Sequence, residues 1–140
     1  MGWTDSHLHQ FTIDGNEYGT LDEDGDNGDL LDERDFTLGD LISGGRFQYQ
    51  YDFGDDWEHV LEIEQTLPRD ASIRYPVCIG GERACPPEDV GGIFDYKRFL
   101  KAISDPRHRE HKHYREWIGG DFDPEEFDLN SVNRLLRMLR

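Results

Sequence analysis

Asp55-Asp56-Trp57-Glu58-His59 sets three carboxylates and an imidazole within five residues. These are the side-chain types that general acid/base catalysis and divalent-metal binding both use. On a strand leaving the turn, Trp57 and His59 share one face and Glu58 takes the other. The plainer reading is a hairpin turn with solvated aspartates and a histidine bonded to a neighbouring strand. His7 and His9 fall on one face of a strand, about 6–7 Å apart. Joined by His59 from a neighbouring strand, they would form a three-histidine set suited to zinc or iron. His7, His9 and His59 are therefore the metal candidates. The alternative is one buried, satisfied histidine and one in solvent.

Other clusters carry weaker signals. Asp22, Asp24, Asp26 and Glu33 echo the first, third, fifth and twelfth positions of a calcium loop. Asn27 stands at the sixth position, where that loop needs glycine, and helical patterns do not flank it, so an exposed acidic loop is expected. Cys78 and Cys85 lie seven apart around a Gly-Gly turn. A disulfide, two metal ligands and two reduced thiols are all open to them, the last being the plain reading where no export signal is seen. Glu88 and Asp89 follow Cys85 and join Asp55, Asp56 and His59 as catalytic candidates. The alternative role for that pair is capping backbone amides in a Pro-anchored loop. His108, His111 and His113 sit among arginines and lysines and read as a solvated cationic helix face.

The elements that must carry these residues follow from periodicity. His7–Ile13 alternates as a strand, Asp14-Gly15-Asn16 turns it, and Glu17–Thr20 returns as a hairpin partner. Asp22–Asp35 reads as a loop. Thr37 precedes a helical turn of Leu38, Leu41 and Ile42, ended by Gly44-Gly45. Phe47, Tyr49, Tyr51 and Phe53 share one face of the clearest strand, with Gln48, Gln50 and Asp52 opposite. Trp57–Thr66 runs back from it as a hairpin. Pro76–Gly92 is an irregular loop. Tyr96, Phe99, Leu100 and Ile103 have helical spacing. Asp105-Pro106 predicts the start of a second helix running to Trp117 and stopped by Gly119-Gly120. Val132, Leu135, Leu136 and Leu139 predict a closing helix capped by Asp128 or Asn130. Strands first and helices afterwards is an α+β pattern: an antiparallel β-sheet built on a central hairpin, followed by about three α-helices packed on it. One domain over residues 1–140 is expected.

Charge narrows the function. The net charge is −16, and residues 1–70 hold 19 acids against 3 Lys/Arg, while residues 71–140 hold 12 of each. The first half repels phosphate backbones, whose binding rests on Lys/Arg displacing counterions. Direct nucleic-acid binding is disfavoured there, and a basic protein or a further domain is the expected partner. No apolar run nears the roughly 20 residues of a membrane span, and no leader opens the chain, so a cytoplasmic location is expected. A divalent metal is a cofactor these residue types leave open.

Several segments together resemble one family. They are Gly2-Trp3-Thr4-Asp5-Ser6-His7-Leu8-His9-Gln10-Phe11, Tyr51-Asp52-Phe53-Gly54-Asp55-Asp56-Trp57-Glu58-His59, Tyr75-Pro76, Cys85-Pro86-Pro87-Glu88-Asp89-Val90-Gly91-Gly92, and Trp117 with Phe122-Asp123-Pro124. The chain resembles the plasmid open-reading-frame-three-like family, named after a root-inducing plasmid and known also from insertion-element passenger proteins. That family's domain normally begins some tens of residues earlier, so the resemblance implies an N-terminally short form lacking a first strand and helix. It also implies a link to mobile elements, whose members sometimes carry resolvase-like labels. A serine resolvase needs a nucleophilic serine in an arginine-rich site and a basic tail, and Ser6, Ser43, Ser72, Ser104 and Ser131 have no such setting. The expectation is an uncharacterised binding or accessory module, with a metal-dependent or acid/base enzyme at Asp55, Asp56 and His59 as the alternative.

Overall fold

The computed structural model describes residues 2–21, 28–41 and 45–138. The calcium-like positions Asp22, Asp24 and Asp26, and Ile42, Gly44 and Leu139 of the expected helices, lie outside the described residues. The chain divides into two compact units. One comprises residues 5–67 with 91–93, and the other residues 1–4, 68–90 and 94–140.

The first unit is a five-stranded sheet. Its strands are β1 (His9–Ile13), β2 (Asn16–Gly19), β3 (Leu31–Asp32), β4 (Gly45–Tyr51) and β5 (Trp57–Ile63), in the order β3-β2-β1-β4-β5. The expected hairpins form: β1 pairs antiparallel with β2, and β4 with β5. Two expectations are corrected. The sheet is mixed rather than purely antiparallel, because β3 runs parallel to β2. The β4–β5 hairpin also lies at one side, and β1 is the middle strand. A two-residue strand inside an acid- and glycine-rich stretch has too few positions for alternation to reveal it.

The register sets one apolar face. Phe11 lies opposite both Tyr18 and Tyr49, Tyr49 opposite His59, Tyr51 opposite Trp57, and Phe47 opposite Leu61. Directly paired residues share a face, so aromatic and aliphatic side chains gather on one side, around Ile13, Tyr18 and Phe47, each 5–6% exposed. The other side carries Gln48, Gln50, Glu58 and Glu62, with Val60 67% exposed among them. After β3 comes a 3-10 turn, Glu33–Asp35, then the short helix α1 (Leu38–Leu41). Thr37 opens α1, its amide and hydroxyl both donating to Asp40 Oδ2 at 2.9 and 2.5 Å.

The strand ends earlier than its alternation predicts. Asp52 and Phe53 were expected to continue β4, but Asp52 takes a left-handed φ of 55° and turns the chain. Asp52 is therefore buried, at 8%, and Phe53 is 49% exposed rather than on the core face. The carboxylate explains the turn: Oδ1 accepts the amides of Gly54 (2.9 Å) and Asp55 (3.2 Å). An aspartate side chain that replaces a turn's backbone acceptor overrides strand preference.

The second unit is helical, built on α2 (Gly92–Ser104) from residue 94 onward, α3 (His111–Ile118) and α4 (Leu129–Leu136). The α+β class is as expected, with four helices among the described residues when α1 is included. Phe99, fully buried, is ringed by Tyr96, Tyr114, Trp117 and Phe122 with centroids 5.3–6.2 Å away. Asp128 caps α4 by accepting the amides of Asn130 and Ser131, and Gly119 ends α3 with a φ of 71°. The second helix starts later than expected. Asp105 does accept the Arg107 amide at 2.9 Å, but His108 Nδ1 accepts the Glu110 amide at 3.2 Å. That side-chain bond holds a turn where a helix would otherwise begin.

Candidate functional site

β1 aims His9, Phe11 and Ile13 to the same side, and β2, β4 and β5 add Tyr18, Phe47 and Leu61. The segment from Glu33 to Leu41 closes around them. Together they line a pocket of about 450 Å³, within the range of small-ligand and side-chain sites. Its walls are Phe11, Ile13, Tyr18, Phe36, Leu38, Leu41, Phe47 and Leu61. Its polar groups are His9, Glu33, Arg34 and Thr37.

His9 and Glu33 form the polar centre. Nε2 of His9 lies 2.9 and 3.1 Å from the two carboxylate oxygens of Glu33. Both side chains are largely buried, 20% and 25% exposed. The Thr20 hydroxyl reaches Glu33 Oε1 at 3.5 Å, and Asp5 stands 3.9 Å from His9 Nδ1. The Arg34 guanidinium is forked onto Asp32 at 2.9 and 2.7 Å, with Glu33 a lesser electrostatic partner. That hydrogen bond holds the Asp32 carboxyl below the usual range. The Tyr49 ring packs on His9 at 5.8 Å and Phe11 at 4.9 Å. Burial, then the negative charge of Asp5, pushes its phenol upward, so it stays a donor.

The turn residues singled out by their spacing are used differently. Asp55 Oδ2 accepts the Gly91 amide at 2.9 Å. Gly92 is so close that a Cβ there would sit 2.3 Å from the Asp55 carbonyl, and its φ is 70°. Asp56, exposed, accepts from the Gln50 side chain at 2.5 Å. His59 is turned to the aromatic face, its Nδ1 3.2 Å from the Tyr49 carbonyl. Gln50 and His59 occupy opposite faces of the sheet, so Asp56 and His59 are drawn apart.

The three metal candidates also have separate settings. His7 Nε2 is 3.7 Å from the buried Asp52 carboxylate, and its ring meets Tyr51 edge-on at 6.0 Å. His9 is held by Glu33. His59 lies on β5, two strands from β1 with β4 between, which is about 10 Å at ordinary strand spacing. Among the described residues, the ring nitrogens of His7, His9 and His59 do not lie close enough together to form one ligand group. His7 and His9 are each set beside a carboxylate, His7 near Asp52 and His9 on Glu33.

In the other unit, Glu88 Oε1 accepts from the Thr4 amide at 2.7 Å and its hydroxyl at 3.0 Å, and the Trp3 indole donates to the Pro86 carbonyl at 3.0 Å. Asp89 is exposed with a left-handed φ of 58°. Cys78 and Cys85 are both free thiols, and burial pushes Cys85 up to about 11. His111 Nδ1 lies 2.8 Å from the Ala102 carbonyl. The cationic side chains nearby are engaged locally, Lys112 with Glu116 at 3.6 Å and Arg115 with Asp121 at 2.5 Å.

Sequence reasoning missed two residues. By spacing Glu33 is only the last position of a calcium-like loop, yet the apolar Leu30, Leu31 and Phe36 around it mark a stretch that returns to the sheet. Asp52 was assigned to the polar strand face, though an aspartate two residues before glycine signals a turn.

The fold and pocket define an α+β protein with an aromatic-lined cavity centred on a histidine–carboxylate pair. The family described as plasmid pRiA4b ORF-3-like protein matches residues 1–131, and the chain belongs to it. It is 37% identical over 137 residues to the uncharacterized protein y4hQ of Sinorhizobium fredii (strain NBRC 101917 / NGR234), covering 96% of this chain and 70% of that one. It is similar to a crystal structure of MM3350 from Methanosarcina mazei Go1, a protein of unknown function. The TM-score is 0.81 and the identity 36%, over 92% of this chain and 74% of that one. Among the described residues, no helix is long and apolar enough to cross a membrane.

Proposed function

We propose that this chain is a binding module that seats an apolar side chain of a basic protein in the aromatic pocket. The pocket itself carries this reading: about 450 Å³ lined by aromatic and aliphatic groups, in a unit whose residues 5–67 hold 18 acids and only two basic residues, Arg34 and Arg46. Burying one leucine or phenylalanine there would contribute roughly 1.5–3 kcal/mol, enough for one anchor to dominate a small interface. The surrounding negative field would speed encounter with a basic partner and be weakened by salt. On this reading the module is an accessory component carried with a mobile element, a setting supported by the plasmid in the family's description.

Fluorescence anisotropy with short labelled peptides tests the proposal. A peptide with a central leucine between basic residues should bind, and Leu38→Glu at the rim, where Leu38 is 56% exposed, should weaken it at least tenfold. Equal binding of an acid-flanked peptide, or indifference to Leu38→Glu, would sink the reading.

The alternative is a metal-dependent or acid/base enzyme at Asp55, Asp56 and His59. It is supported less, because Asp55 holds a backbone amide and Asp56 holds Gln50 on the opposite face. Stoichiometric metal in the purified protein, lost on His59→Ala, would reverse that preference.

A further inference from the structure

We infer that Glu33 is the specificity-determining residue of the pocket, and that it receives an arginine side chain of the partner in place of His9. This rests on the binding reading above and names the chemistry of the ligand. Among the described residues, Glu33 has unspent acceptor capacity. A carboxylate offers about four lone-pair sites. In the free protein both Glu33 oxygens turn to one nitrogen, His9 Nε2, at 2.9 and 3.1 Å, and the Thr20 hydroxyl is a long 3.5 Å away. One N–H shared between two oxygens satisfies neither well. A guanidinium presents two parallel N–H groups at the spacing of the two oxygens.

Such a cation has to come from outside this unit. Its two arginines, Arg34 and Arg46, are engaged by Asp32 and by Glu62 at 3.1 Å. Asp5 beside His9 adds negative charge at the same edge, and Asp35 follows Glu33 in the same 3-10 turn. The pocket suits the rest of an arginine as well. Beside Glu33 the lining includes Phe36 and Leu38, apolar surface for the three methylenes of the arginine. Lysine would supply the charge without the fork, so arginine is the better partner for Glu33. His9 keeps Glu33 oriented until the guanidinium arrives and then releases it, remaining against Phe11 and Tyr49.

The test compares two peptides that differ only in arginine or its neutral isostere citrulline, next to a central leucine. They are titrated against the wild-type chain, Glu33→Gln, Glu33→Asp and, as a control for general acidity, Asp35→Asn. Urea unfolding confirms that each variant folds. On the wild type, citrulline should bind at least tenfold more weakly than arginine. Glu33→Gln should remove that difference, chiefly by lowering the arginine peptide's affinity. Glu33→Asp, which keeps the charge on a shorter arm, should retain part of the difference, and Asp35→Asn nearly all of it. The ¹⁵N resonance of His9 Nε2 should shift with the arginine peptide and not with citrulline. Retention of the full difference in Glu33→Gln overturns the inference. Equal affinity for the two peptides on the wild type, with Leu38→Glu still abolishing binding, overturns it too and leaves the pocket reading standing. Absence of binding by either peptide removes both.

Discussion

At the turn between β4 and β5, carboxylates point back at their own backbone. Asp52 holds the amides of Gly54 and Asp55, and Asp55 holds that of Gly91. In the pocket, Glu33 instead meets the side chain of His9, beside a cavity with apolar walls. The two regions use the same residue types and differ in what occupies the acceptors. A carboxylate committed to buried amides is part of the fold, since breaking it leaves those amides without a partner. One held by a single imidazole at a cavity can exchange that partner for a ligand. Density of acids and histidines along the chain marks both regions equally, and only the hydrogen-bond partners separate them.

That contrast can be broken by mutation, because turn changes should cost stability and pocket changes should cost binding. The largest loss is expected for Gly92→Ala. A methyl group there combines a left-handed φ with a 2.3 Å approach to the Asp55 carbonyl, for about 2–5 kcal/mol in urea unfolding. Asp52→Ala should follow at about 1–3 kcal/mol, from two turn amides losing their acceptor. Asp52→Asn, which keeps the accepting oxygen, should recover most of it. If alanine and asparagine cost the same, the turn amides are not what Asp52 serves. Leu38→Glu should then change stability by no more than about 0.5 kcal/mol while removing peptide binding. A large stability loss there would mean that the pocket wall is core and not a contact surface.

The smallest expected effect concerns Cys85. Burial raises its thiol to about 11, against an ordinary 9.0. The folded chain therefore keeps this proton where the unfolded chain has lost it. The stability this contributes is complete below pH 9 and is lost as pH rises towards about 11. Native Cys85 should alkylate ever faster up to that pH, while in urea its rate should level off near 9. A native profile that levels off near 9 would show that the thiol is not shielded.

Much of this protein was determined by its sequence alone. Period-two alternation placed β1 and β4, turn residues placed both hairpins, and spacing with Asp128 as cap placed α4. The excess of acids in the first half and the family strings were equally plain. Each of these depends on residues a few positions apart, which is the range over which backbone preference and amphipathic pattern act. What only the tertiary structure decided was pairing at a distance. The parallel β3, the burial of Asp52, and the meeting of His9 with Glu33, 24 residues away, depend on which strand lies beside which. Short-range periodicity does not encode that order, because a two-residue strand and a lone glutamate leave no periodic trace. The pocket and its polar centre therefore appear only once β2 and β1 have brought the returning chain over the aromatic face.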